Sequence, residues 1–246
     1  MIQKHIPNII TICNMCCGII AILIAITGLV PLTYAAMFVC IGAAFDFFDG
    51  FTARLLNAYS AIGKELDSFA DLITFGFAPA TILFASMQHT IFGGTISDIS
   101  EITSSPTLYS IYLAIPFLLV LFSAIRLAKF NTDSRQTKNF IGLPTPANAL
   151  FFCGFVFIDI SSIAPAFLAG IIIIFSYLLI SEIPMFSLKI SSLSYKENTV
   201  QFIFIGLSFL LLLLFQLRAF SFIILTYIVV SIIDWFFQKQ KKSQIS

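Results

Sequence analysis

Eight long, mostly apolar runs follow one another along this chain, at residues 7–30, 32–54, 66–88, 108–130, 144–160, 163–185, 200–217 and 219–237. A bilayer core takes roughly 20 such residues per helix. Inside it the backbone has no water to bond, so helices are the spanning elements that such runs can form. The pattern predicts an all-α integral membrane protein of about eight transmembrane helices, the fifth run being the shortest. Composition closes off the other classes. Hydrophobic residues make up 59% of the chain and charged residues 10%, whereas a soluble domain carries about a quarter charged. A soluble domain, a disordered chain and a disulfide-stapled secreted fold are all excluded. The first run lacks a small-residue cleavage site and is expected to stay as a helix.

The charged residues orient these spans. With eight crossings, one side receives Lys4, Arg54, Lys64, Arg126, Lys129, Arg135, Lys138, Lys189, Lys196, Lys239, Lys241 and Lys242, and the other only Arg218. This positive-inside bias predicts that both termini lie in the cytosol, in a cell membrane. The longest loop on the opposite side, 89–107, carries Asp98 and Glu101 and no Lys or Arg. A net charge of +1 gives no reason to expect nucleic acid as a partner. The cysteines Cys13, Cys16, Cys17, Cys40 and Cys153 sit inside apolar runs without a His or second Cys pair at ligand spacing, and read as helix-packing residues.

One segment breaks the apolar background: Asp46-Phe-Phe-Asp49-Gly50-Phe-Thr-Ala53-Arg54, then Gly63-Lys-Glu-Leu-Asp67-Ser-Phe-Ala-Asp71. An ionised Asp in the middle of a spanning helix costs roughly 2.5–3.5 kcal/mol on insertion scales, so such residues face a cavity or a partner. Spacings of three and four place each pair on one helical face. A short turn joins the two helices, so the two acidic faces can meet. Arg54 and Lys64 are too few to neutralise four carboxylates, whereas hard divalent cations, Mg²⁺ or Mn²⁺, match oxygen ligands of this kind. Two such cations about 3.5–4 Å apart form a clamp suited to displacement at phosphorus. Structural carboxylates, or an ion or proton path in a transporter, remain the alternatives on spacing alone.

The spacing D-x₂-D-G-x₂-A-R-x₈-G-x₃-D-x₃-D, carried by Asp46, Asp49, Gly50, Ala53, Arg54, Gly63, Asp67 and Asp71, resembles the signature of the CDP-alcohol phosphatidyltransferases. These are helical membrane enzymes in which an alcohol displaces CMP from a CDP-linked lipid. The resemblance implies that Asp46, Asp49 and Asp67 hold one metal and Asp46, Asp67 and Asp71 the other, with Asp71 also the general base. It implies that Gly50, Ala53, Arg54, Ser60 and Gly63 line the CDP-lipid site, bordered by the Asn8-x-x-Thr11 element. A transporter gives no reason for the Gly, Ala and Arg between the carboxylates.

Beyond the signature, the segments Glu65–Pro79, Arg126-Leu-Ala-Lys129-Phe-Asn131 and Gly142-Leu-Pro144-Thr145-Pro146-Ala resemble the serine-using, membrane-spanning branch of that family, over roughly residues 5–150. That branch implies CDP-diacylglycerol and L-serine as substrates. Arg126, Lys129 and Asn131 are then the candidate acceptor-binding residues, since Arg grips a carboxylate with a bidentate fork. Other acceptors (glycerol 3-phosphate, inositol phosphate) or an archaeal ether-linked donor lipid are the alternatives within the same chemistry. The chain is expected to be one membrane domain over 1–246, with the signature-bearing core at about 5–160 and C-terminal helices at about 163–237. Membrane lipids surround it, and a homodimer follows by analogy alone.

Overall fold

The computed structural model describes residues 5–93, 107–133, 140–160, 163–185 and 199–243. The predicted positions Lys4, Asp98, Glu101, Arg135, Lys138, Lys189 and Lys196 lie outside them, as do the side chains of Lys239, Lys241 and Lys242. Among the described residues each of the eight apolar runs carries a helix. These are α1 (Ile6–Thr27), α2 (Leu32–Leu55), α3 (Ala61–Phe92), α4 (Thr107–Thr132), α5 (Thr145–Ile158), α6 (Pro165–Ile180), α7 (Thr199–Phe215) and α8 (Ala219–Ser243). The protein is an all-α, multi-pass membrane protein. Within the described residues two two-residue strands, β1 (Phe140–Ile141) and β2 (Pro184–Met185), pair antiparallel.

The count of crossings is less uniform than eight equal spans. Among the described residues five helical stretches are long and apolar enough to cross a membrane, the last of them running from Gln201 to Phe236. That last stretch is not one rod. Gln216 adopts a positive φ of 52° inside the 3₁₀ turn Gln216–Arg218, and the Phe204 and Tyr227 rings lie 5.9 Å apart. In a straight helix 23 residues would separate them by about 35 Å, so α7 and α8 fold back as a hairpin. The helices α5 and α6 are 14 and 16 residues long, about 21 and 24 Å, shorter than a hydrocarbon core of roughly 30 Å.

Sequence explains where the rods start and stop. Pro7 opens α1, and Gly28, in the left-handed region at φ 61°, closes it. Ser60 caps α3, its hydroxyl accepting the Gly63 N–H at 2.9 Å. That cap starts α3 at Ala61, five residues before the apolar run itself begins. Ser181 ends α6 four residues before the predicted limit, ahead of Pro184.

Small residues let the first helices approach closely. Ala21, Ala25, Ala35 and Ala36 are fully or nearly fully buried between α1 and α2, the pattern expected where lipid offers no hydrophobic drive and packing must hold helices together. Farther along, the Phe151 and Phe175 rings stack at 3.8 Å between α5 and α6, and Ser221 of α8 donates to the Phe151 carbonyl at 2.7 Å. The C-terminal hairpin is thereby tied to the bundle. All five cysteines are free, and Cys153 of α5 meets Cys40 of α2 side chain to side chain.

Candidate active site

The N-terminus of α1, the C-terminus of α2 and the N-terminus of α3 meet at one end of the bundle, and their junction encloses a cavity of about 700 Å³. Gly63 permits the meeting: a Cβ there would lie 2.9 Å from both Asn8 Oδ1 and Ser60 Oγ. Asn8, Thr11, Gly50, Ala53, Arg54, Ser60 and Gly63 all line this cavity, together with Asp49 and Asp67. The structure therefore gathers around one cavity every residue that the family resemblance assigns to the CDP-lipid. Gly50 faces open space, with no atom within 4 Å of where a Cβ would sit. Arg54 folds back along α2, its Nε donating to the Gly50 carbonyl at 3.0 Å. Lys64, one of the two cations of the segment, and Tyr59, which no motif in the sequence points to, also line the cavity.

The four carboxylates converge beside this cavity, with Asp49 and Asp67 on its wall. One oxygen from each of Asp46, Asp49 and Asp67 lies within 4.8 Å of the others. Asp71, buried one turn deeper on α3, meets the Asp46 side chain. Asp49 stands against the Thr11 hydroxyl, which itself donates to the Pro7 carbonyl at 3.0 Å. Two carboxylate oxygens, Asp49 Oδ2 and Asp71 Oδ1, are buried without a hydrogen-bond partner among the described residues. Buried acceptors of this kind are costly unless something positive satisfies them. An all-oxygen group of three carboxylates fits a divalent cation of the hard class.

Immediately after Asp71 the chain leaves the α-helical register. Leu72–Phe77 forms a π-helical turn, a rare geometry that recurs at functional sites. It swells α3 against α1 and α4 and resumes as α-helix at Ala78.

On the opposite flank, α4 brings Arg126 to Asp71. Arg126 is 6% exposed, lies within electrostatic reach of Asp71, and has its guanidinium carbon 5.3 Å from the Phe130 ring centroid. Its Nε is buried without a hydrogen-bond partner among the described residues. Lys129 shares a small polar cavity with it. Asn131 goes elsewhere: its side-chain N–H donates to Ser68 Oγ at 2.8 Å and its carbonyl accepts from Lys64 Nζ at 3.0 Å. It clasps the end of α4 to α3 rather than lining either cavity. Tyr227 of α8, also 6% exposed, comes within electrostatic reach of Arg126. No motif in the last 90 residues points to it, because its place is set by the hairpin.

Residues 4–183 match the family described as CDP-alcohol phosphatidyltransferase. The chain is 36% identical over 183 residues to a CDP-diacylglycerol–serine O-phosphatidyltransferase of Bacillus subtilis, covering 74% of this chain and 89% of that protein. It is 29% identical over 238 residues to the Helicobacter pylori (strain J99) protein of the same name, covering 94% and 91%. A Methanocaldococcus jannaschii protein, again of that name, is 32% identical over 178 residues, covering 72% of each.

Proposed function

The chain belongs to the CDP-alcohol phosphatidyltransferase family, and on that premise we propose that it is a phosphatidylserine synthase, transferring the phosphatidyl group of CDP-diacylglycerol to L-serine with release of CMP. The observation that carries the reading is the coincidence of the donor residues with one cavity that Asp49 and Asp67 of the carboxylate cluster also line. The names of the three relatives supply serine as the acceptor.

In this reading the pyrophosphate lies along Asn8, Gly50, Arg54 and Ser60, with the nucleotide in the 700 Å³ cavity and the acyl chains among the helices. Asp46, Asp49 and Asp67 hold one divalent cation, Mg²⁺ or Mn²⁺, and Asp46, Asp67 and Asp71 a second. Bound there, such ions supply positive charge to the pyrophosphate and the departing CMP. Asp71 Oδ1 takes the proton of the serine hydroxyl. The serine oxygen bonds to the phosphorus that carries diacylglycerol, the P–O bond to CMP breaks, and the proton remains on Asp71 until solvent removes it. Arg126 pairs with the serine carboxylate and holds the hydroxyl near Asp71. The residues 1–246 act as one membrane domain.

The test is CMP release by purified protein with CDP-diacylglycerol, Mn²⁺ or Mg²⁺, and a panel of serine, ethanolamine, glycerol 3-phosphate and inositol phosphate. Serine is expected to be the productive acceptor, and ethanolamine poor because it leaves Arg126 unpaired. Faster turnover with glycerol 3-phosphate would move the chain to another branch of the family. The Lys and Arg asymmetry further supports a site and both termini facing the cytosol of a cell membrane. A Ser246→Cys variant in a Cys-free background should label only after permeabilisation, and labelling in intact cells would reverse that orientation.

A further inference from the structure

A second cavity, about 130 Å³, opens between the last turn of α4, β1 and the C-terminal turn of α6. Arg126, Lys129, Thr132 and Asp133 at the end of α4 line one side, and Leu179, Ile180, Ser181 and Glu182 the other, so the two cations face the Glu182 carboxylate while Asp133 places a second carboxylate beside them. The Arg126 side chain lines this cavity, and its Nε is buried without a hydrogen-bond partner among the described residues, a donor left for a ligand to satisfy. The facing wall is a helix C-terminus, where carbonyls lack intrahelical partners and the macrodipole is negative. The Glu182 carboxylate adds a full negative charge at the same end.

Resting on the acceptor reading above, we propose that this cavity seats the charged end of a zwitterionic α-amino acid, and that Glu182 with the last turn of α6 recognises its ammonium group while Arg126 and Lys129 take its carboxylate. Size agrees. At roughly 30 Å³ per water the space holds about four waters, the scale of a small amino acid and not of a phosphorylated six-membered ring. Placement agrees as well, since Arg126 belongs both to this cavity and to the surroundings of Asp71. An amino acid held by its charged end there presents its side-chain hydroxyl toward the proton acceptor. The family signature does not reach Glu182, which lies more than a hundred residues beyond Asp71.

The test compares L-serine with glycerate, which keeps the reactive hydroxyl and the carboxylate but carries a hydroxyl in place of the ammonium. In Glu182→Gln, KM for serine should rise roughly ten- to a hundredfold, the scale of a lost charge-assisted hydrogen bond. KM for CDP-diacylglycerol and kcat at saturating serine should be unchanged, and the preference for serine over glycerate should fall by the same factor. Glu182→Asp, which keeps the charge, should retain most of the preference. An unchanged serine KM and an unchanged serine-to-glycerate ratio in Glu182→Gln overturn the inference while leaving the acceptor reading intact. So does an equal loss in the Gln and Asp variants accompanied by a weakened donor KM, which marks a structural role. Wild-type protein that prefers glycerol 3-phosphate overturns the acceptor reading and this inference with it.

Discussion

The Thr74 hydroxyl donates a 3.0 Å hydrogen bond to the main-chain carbonyl of Asn14, joining α3 to α1 one turn below the deepest carboxylate. Thr74 is fully buried within the π turn. Gly18 and Gly42 make the room: a Cβ at Gly18 would sit 2.8 Å from the Thr74 Cα, and one at Gly42 would sit 2.6 Å from its Cγ2. A helix ladder interrupted at Leu72–Phe77 is thus gripped at its centre from two neighbouring helices, and Asp71 is the residue that this grip presents to the cluster.

Thr74→Val keeps the shape of the side chain and removes the bond. A net loss of about 0.5–1.5 kcal/mol in stability is expected, read as a lower thermal midpoint in detergent. If the bond also fixes Asp71, kcat should fall while KM for serine stays put, and Thr74→Ser should restore kcat. A Val variant with wild-type kcat would limit Thr74 to a packing role.

Gly50 gives a sharper separation between fold and function. It lies inside α2, where replacing Gly by Ala stabilises a helix by roughly 1 kcal/mol, and nothing in the protein occupies the space a Cβ would enter. Gly50→Ala should therefore leave the thermal midpoint unchanged or raised, yet raise KM for CDP-diacylglycerol because the methyl projects into the donor cavity. An unaltered donor KM would place the pyrophosphate away from this stretch of α2.

The carboxylate cluster predicts opposite signs in the presence and absence of cations. Three carboxylates with oxygens inside 4.8 Å repel one another when nothing lies between them, so the cation-free protein should gain stability from Asp67→Asn. Ligands that bind only the folded state stabilise it by mass action, so Mg²⁺ or Mn²⁺ should raise the thermal midpoint of the wild type in a concentration-dependent way. That rise should be lost in Asp46→Asn and Asp67→Asn, along with turnover, and chelation should inactivate the wild type reversibly. Full activity in excess EDTA would refute the cation proposal.

How much of this is legible in the sequence depends on what fixes each feature. The helices read out because apolar length is a local property, and the acidic face reads out because charges inside such runs demand an explanation. The donor wall is legible only through the family resemblance, which covers Gly50, Arg54 and Ser60 beside the carboxylates and Asn8 at the start of α1. The π turn does not read out: Leu72–Phe77 looks like any apolar helix, and its geometry depends on a carbonyl 60 residues earlier and on two glycines in other helices. Asn131, placed beside Arg126 and Lys129 by position alone, turns toward Ser68 because the helix ends there. Glu182 and Tyr227 come to Arg126 only through the packing of α6 and α8, and no short-range pattern encodes that.

Asp71 separates proton transfer from ion binding. It is 9% exposed, and its Oδ1 has no hydrogen-bond partner among the described residues, so that oxygen is available to a hydroxyl entering from the Arg126 side. Asn at this position keeps the size and leaves one oxygen for a cation, but its amide cannot accept the proton. A general base contributes roughly 10²–10⁴-fold, so Asp71→Asn should lose kcat on that scale while KM for CDP-diacylglycerol changes little. If the loss arose from a weakened ion site instead, raising Mn²⁺ should recover kcat; if it arises from the missing base, saturating Mn²⁺ should leave kcat low. The decisive measurement is kcat of Asp71→Asn across a Mn²⁺ titration, with donor KM followed in parallel. Recovery to near the wild-type value at high Mn²⁺ would assign Asp71 to the ions and leave the proton to another acceptor.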